Sequence, residues 1–389
     1  MTLIGRSDQS LIGRWFWTID RFLLLLLALL ICIGVVAMLS ASPSAALRYS
    51  GNSVRLPDLL YFYRHLGWIA IGVPVLLGVS MLPTRWLRRL CVLGLPILLL
   101  LLLALPVIGT EKNGAIRWIT LGGSLVQPSE FLKPMLVVVT AWVLATRFED
   151  PSVPALKGSA ILAALAMGLL IIQPDFGQTA LVGIIWFVQA CLAGLPVPVI
   201  GGLAVSGVGL AVSAYLLMPH VRDRVQEWVL GVGDNFQADQ ATKAFQAGGL
   251  LGAGPSEGRV KFSLPEAHTD YIFAVAGEEF GMIACFCLAL LYLGIIIRVA
   301  LQLLDEEDPF VFLATAGLVA EFGVQAFINM SVNLSLLPSK GMTLPFISHG
   351  GSSFIAMAFT MGMVLAFTRG SRALRASPFA PRSLAGALA

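Results

Sequence analysis

Charge is what this chain most lacks. Only 12% of its 389 residues are Asp, Glu, Lys or Arg, and the balance is +3. Soluble domains carry about 25% charged residues, so a solvated globular surface is excluded. A nucleic-acid surface needs clustered Lys and Arg, and no nucleic acid is expected as a partner. Cysteine is sparse too. Cys32, Cys91, Cys191, Cys285 and Cys287 all sit inside apolar runs, which argues against a disulfide framework or a Cys-based metal site. The four histidines, His65, His220, His268 and His349, are scattered without zinc spacing. GGLLGAG (248–254) contains a Gly-x-Gly but follows no strand, so it is dismissed as a nucleotide motif.

What is abundant is apolar surface: 57% hydrophobic residues and a mean hydropathy of +0.86. These define an all-α, polytopic integral membrane protein. The run from Phe22 is long enough to span, and no small-residue cleavage site of the expected form follows the arginines, so it reads as a retained first span rather than a signal peptide. Ten spans are expected near 22–41, 66–82, 90–108, 129–147, 158–173, 178–194, 197–217, 271–298, 311–331 and 351–368. The fifth to seventh are the hardest to separate, because only Gly177, Gly194, Pro196 and Pro198 punctuate them. The expected organisation is a cytoplasmic tail (1–21), a ten-helix domain (22–368) and a cytoplasmic tail (369–389). The large outer loop 218–270 lies between spans seven and eight.

An even count puts both termini on one side, and the positive-inside rule selects it. Cytoplasmic termini leave 13 Lys and Arg inside against 11 outside, or 6 once the five in 218–270 are set aside. The outer loop carries structure of its own. In VRDRVQEWVL (221–230), Val221, Val225, Trp228 and Val229 share one face, so a short surface helix is expected. DNFQADQATKAFQAGG suggests a second, stopped at Gly248-Gly249.

This topology gathers the polar residues at the outer face. Asp270 stands where the eighth span begins, and burial raises the pKa of a carboxylate placed there, suiting it to act as a general base. The bland reading, an acid favoured by a helix N-terminus, carries about equal weight. Glu278 and Glu279 lie inside the span and read as structural or cavity-lining. Lys133, one turn inside the fourth span, needs an anion, which Glu130 three residues earlier can supply. The sharper alternative has Arg117, Lys133 and Lys340 converge on a diphosphate. Asp175 follows Pro174 at another outward helix start. Glu321, Gln325, Asn329 and Asn333 form a polar stripe that lines a cavity or bonds a neighbouring helix.

QPSEF…K (127–133), QPDFG (173–177), LPEAHTDYIFAVAGEEFG (264–281) and LLPSKGMTLPFISHGGSS (336–353) occur in this order among the spans. Together they resemble the SEDS family, the bacterial shape, elongation, division and sporulation proteins, over about residues 20–370. Lys-Gly after Leu-Pro-Ser, and GPSEGRVKFSLPEAHTD, resemble its division branch. His349 departs by standing where the family usually has Tyr. The resemblance implies a peptidoglycan glycosyltransferase that joins lipid II units with inversion, Asp270 being the essential acid. It implies substrate contacts from Arg117, Glu130, Lys133, Asp175, Glu266, His268, Lys340, Ser348, His349 and Ser352, with a divalent cation (Mg or Mn) as an optional helper. The implied partners are a class B penicillin-binding protein (an FtsI-type transpeptidase) and other division-complex membrane proteins, in the inner membrane at the septum. Two other classes compete. A lipid II flippase predicts a midplane site in repeated halves, and no repeat is evident; an inactive scaffold predicts no need for the charged set.

Overall fold

The computed structural model describes residues 10–50, 55–112, 115–121, 124–218, 221–223, 225–226, 236–338 and 341–375. Ten apolar helices run through them. They are α2 (Arg21–Tyr49), α3 (Leu60–Met81), α4 (Thr84–Ile108), α5 (Pro128–Glu149), α6 (Ala155–Ile172), α7 (Phe176–Leu192), α8 (Val197–Leu217), α10 (Ile272–Leu303), α11 (Pro309–Asn333) and α12 (Gly351–Arg375). Nine are long and apolar enough to cross a membrane, and α7, with 17 residues, is the short tenth. A short α1 (Leu11–Thr18) precedes them inside the expected tail, and α9 (Phe236–Gly248) lies in the outer loop.

The uncertain middle resolves into three helices because polar and helix-breaking residues interrupt it. Gln173 closes α6, Asp175 caps α7 by accepting the Gln178 N–H, and α8 begins one residue after Pro196. Eight of the ten helices are longer than the expected spans, most of all the first and the last. The first continues past Pro43 to Tyr49, and the last runs to Arg375. The second outer-loop helix ends at Gly248 as its Gly-Gly predicts. Of the first, 221–223 and 225–226 are helical, and the remainder lies outside the described residues.

One feature departs from an all-helical chain. Between α4 and α5 lies a small antiparallel sheet, β1 (Thr110–Lys112), β2 (Ala115–Leu121) and β3 (Ser124–Val126), in that spatial order. Thr110 faces Trp118, and Ile119 faces Val126. Asn113-Gly114 and Gly122-Gly123 sit between alternating runs, the usual two-residue hairpin signature.

Burial ranks the helices. Within their most apolar windows, α12 is 89% buried, α5 and α11 61%, and α8 0%. The centre is where buried polar groups find partners, and the polar stripe lies on α11, one of these central helices, while α8 faces outward.

Helix α10 is broken. Gly281 takes φ 81°, ψ 174° in its interior, a region essentially restricted to glycine. A break frees amides and carbonyls that lipid cannot satisfy. Here 248–254 satisfies them: Ala253 and Gly254 donate to the carbonyls of Glu278 and Glu279, while Met282 and Ile283 donate to those of Gly249 and Leu250. The contact is so close that a Cβ on Gly248 would overlap the carbonyl oxygens of Gly277 and Glu278. The glycine-rich run thus splices the outer loop into a broken membrane helix.

Candidate active site

Leu264–Tyr271 must carry Asp270 into position without a helix of its own. Glu266 turns the chain with a positive φ of 52°, and its carboxylate fixes the turn. The Tyr49 hydroxyl donates to one oxygen and the Thr269 hydroxyl to the other, both at 2.8 Å. The extension of α2 beyond Pro43 is what brings Tyr49 there.

Three successive carbonyls are then clamped. The His349 amide donates to the His268 carbonyl at 2.8 Å. The Ser348 hydroxyl donates to the Thr269 carbonyl and accepts the Leu344 amide. Asn329 and Asn333 both donate to the Asp270 carbonyl, at 2.9 and 2.8 Å. The stripe on α11 therefore bonds neighbouring elements: Asn329 also holds the Met342 carbonyl, and Asn333 accepts the Ala274 amide. Asp270 itself is half-buried, with Gly341 against its carboxylate; a Cβ there would stand 3.0 Å from Oδ2. Gly341 thus brings the last outer segment up to the acid. Lys340, the residue before it, lies outside the described residues.

His268 is buried, its ring packed 4.7 Å from Tyr61 and 5.7 Å from His349. His349 also meets Tyr61, at 5.5 Å. An aromatic wall of Tyr49, Tyr61, His268 and His349 therefore stands beside the clamped turn.

The cations occupy a second cluster. From β2, Arg117 donates to the carbonyls of Gln173 and Pro174 and approaches Asp175 at 3.8 Å, its side chain 30% exposed. Gln127 donates to Asp175, and its amide donates to Ser352. Lys133 does not reach outward as a diphosphate ligand must. It is 1% exposed and held at 3.0 Å by both Glu130 and Gln325. An ammonium inside a bundle keeps whatever anion is nearest, and Glu130 stands one turn away. Gln178 donates to the other Glu130 oxygen. Gln325 donates to Thr343, which shares a hydrogen bond with Ser353. The arrangement is one connected polar network from Arg117, through Glu130 and Lys133, to the segment holding Asp270. Gln325, Thr343 and Ser353 belong to it, and Tyr49 belongs to the turn at Glu266. Sequence reasoning missed them as site residues, because only contacts across many residues reveal them.

Glu278 and Glu279 serve differently. Glu278 accepts the amides of Val260 and Lys261, at 2.7 and 2.9 Å. Glu279 pairs with the buried Lys261 ammonium, which also donates to the Ser40 carbonyl. Both carboxylates tie the outer loop to α10 and α2. Among the described residues, no three His, Cys, Asp or Glu are grouped to hold a metal ion.

The comparisons agree with this architecture. Residues 20–373 match the FtsW/RodA/SpoVE family model, described as "Cell cycle protein". The chain is 40% identical over 370 residues to the Caulobacter vibrioides protein named "Probable peptidoglycan glycosyltransferase FtsW", covering 94% of this chain and 93% of that one. A Geobacter metallireducens protein of the same name is 34% identical, over 89% and 93%. Among solved structures, a chain of a peptidoglycan synthase complex that coordinates polymerization and crosslinking aligns with TM-score 0.74. It has 28% identity, over 91% of this chain and 98% of that one. The Thermus thermophilus rod shape determining protein RodA aligns with TM-score 0.68 and 28% identity, over 91% and 97%. By its match over nearly its whole length and its ten-helix architecture, the chain belongs to the FtsW/RodA/SpoVE (SEDS) family.

Proposed function

We propose that this protein is a peptidoglycan glycosyltransferase of the FtsW type that polymerises lipid II at the division septum. One observation carries the reading. A half-buried carboxylate, Asp270, sits where α10 begins, its backbone clamped through three consecutive carbonyls. Such a clamp fixes a reacting group where sugar and membrane meet, and positioning of this kind is what catalysis needs.

In this reading Asp270 removes the proton from the GlcNAc 4-hydroxyl of one substrate. The freed oxygen attacks the MurNAc anomeric carbon of the other, on the face opposite the polyprenyl diphosphate. The C1–O bond to diphosphate breaks with inversion, and the diphosphate leaves with the electron pair. Arg117, the more exposed cation, meets the departing charge. Glu130 and Lys133 act one step behind it, holding Gln178 and Gln325 and so the segment beneath Asp270. Glu266 and Ser348 position the turn, His268 and His349 wall it, and Asp175 and Ser352 orient Arg117 and Gln127. Lys340, next to Gly341, is assigned to the diphosphate as well. Positioned donors of this type contribute about 10²–10³ in rate each.

The similarity to a chain of a peptidoglycan synthase complex supports a class B penicillin-binding protein as partner, and the excess of Lys and Arg on one side supports cytoplasmic termini. The test uses protein purified with that partner, labelled lipid II and a divalent cation. Wild type forms polymer, and Asp270→Asn, folded and partner-bound, forms none. Equal polymer from both removes Asp270 from the mechanism.

A further inference from the structure

An apolar groove of about 700 Å³ runs between α2 and α10, and nothing above uses it. Its outer end adjoins the proposed base. Ile272 and Phe273, two and three residues past Asp270, form one wall there, and Leu344 and Ile347 form another. Those two belong to the segment whose Ser348 and His349 clamp the carbonyls before Asp270. All four are at most 4% exposed, so the outer end is enclosed. The enclosure depends on Gly34 of α2, where a Cβ would overlap the Phe346 carbonyl oxygen. Along the rest of its length the lining residues Phe22, Leu29, Val36 and Leu290 are 48–53% exposed, so the groove opens sideways. It follows α10 from Ile272 to Gly294, 22 residues or roughly 33 Å at helical rise, about one bilayer core. Among the described residues, no charged side chain lines it.

We infer that this groove binds the polyprenyl chain of the substrate, with the diphosphate at its enclosed end beside Asp270 and the tail leaving toward lipid. The inference rests on the function proposed above and names where that substrate's tail lies. The shape favours a slender chain over a second helix. A spanning helix is about 10 Å wide, whereas the outer end is walled by the buried Ile272, Phe273, Leu344 and Ile347. The groove's volume of about 700 Å³ lies in the roughly 300–1,000 Å³ range of sites that bury a small apolar ligand. The break at Gly281 lies midway along the α10 wall, so the two helices do not close on each other along their length.

The test reads binding rather than turnover. A polyprenyl diphosphate carrying a photoreactive group in its tail is cross-linked to the protein with its partner present, and the labelled peptides are mapped. Label is expected in 22–37 and 272–294, displaced by unlabelled polyprenyl diphosphate and not by inorganic diphosphate. Gly294→Leu fills the groove where a Cβ meets nothing within 4 Å. It should cut this labelling and raise KM for lipid II about tenfold with kcat little changed. Gly202→Leu, equally unobstructed but on α8, should do neither. Label on other helices, labelling unmoved by Gly294→Leu, or a partner helix found to occupy the groove would each overturn the inference. Asp270→Asn keeps the two readings apart. Groove labelling with lost polymerisation supports both, and groove labelling with retained polymerisation overturns only the role of Asp270.

Discussion

Two sets of carboxylates lie eight residues apart on one stretch of chain and meet opposite fates. At Asp270 the protein spends its hydrogen bonds on the backbone: two asparagines, a serine and an amide hold the carbonyls of 268–270. At Glu278 and Glu279 it spends the carboxylates themselves on the amides of 260–261 and the Lys261 ammonium. Burial follows the same division, since Asp270 is half-buried and both glutamates are 1% exposed. A clamp on the backbone fixes where an acid stands, whereas at Glu278 and Glu279 the carboxylate oxygens themselves hold the loop.

Substitutions should separate the two. Asp270→Asn is expected to lower polymerisation by at least about 10²–10⁴, the contribution of a positioned base, with unchanged thermal unfolding in detergent. Glu279→Gln should reverse that pattern. It leaves Lys261 charged and unpaired inside the protein, at a cost of about 3–5 kcal/mol. Thermal unfolding reads this, and a joint Glu279→Leu, Lys261→Met change should recover much of it. An unchanged melting temperature in Glu279→Gln would show the pair to be dispensable. Asn333→Ala falls between. It removes a donor to the Asp270 carbonyl and the acceptor of the Ala274 amide, at about 1–3 kcal/mol. Because the carboxylate remains but loses its placement, kcat should drop while KM holds. A change in KM alone would count against the clamp.

The same contrast explains what could be read from the sequence. The spans were legible because length and hydropathy are local properties, and so was the Glu130–Lys133 pair, one turn apart. The sheet at 110–126 left a local signature in Asn113-Gly114 and Gly122-Gly123, but apolar spans on both sides drew attention from it. GGLLGAG could not be understood alone. Its glycines are required by the carbonyls of Gly277 and Glu279, about 27 residues further on, and no periodicity encodes that distance. The clamp was equally hidden. Asn329 and Asn333 read as a polar stripe with two meanings, and only the fold shows which carbonyl they hold.

The smallest expected effect probes the second cluster. The Arg117 fork donates to two carbonyls at once, those of Gln173 and Pro174, and approaches Asp175. Lysine keeps the charge but presents a single ammonium in place of the planar fork. If charge toward the departing diphosphate is what counts, Arg117→Lys keeps most activity, and Arg117→Gln loses more. If holding the 173–175 turn is what counts, both lose alike, because neither reproduces the fork. The side chain is 30% exposed, so solvent screening limits the loss to about 1 kcal/mol, roughly fivefold in kcat/KM for Arg117→Lys. The ratio between the two variants decides the matter. A larger loss in Arg117→Gln than in Arg117→Lys assigns Arg117 to the leaving group. Equal losses place it with Glu278 and Glu279 as scaffold, leaving Asp270 alone among these charged residues as a group that acts on substrate.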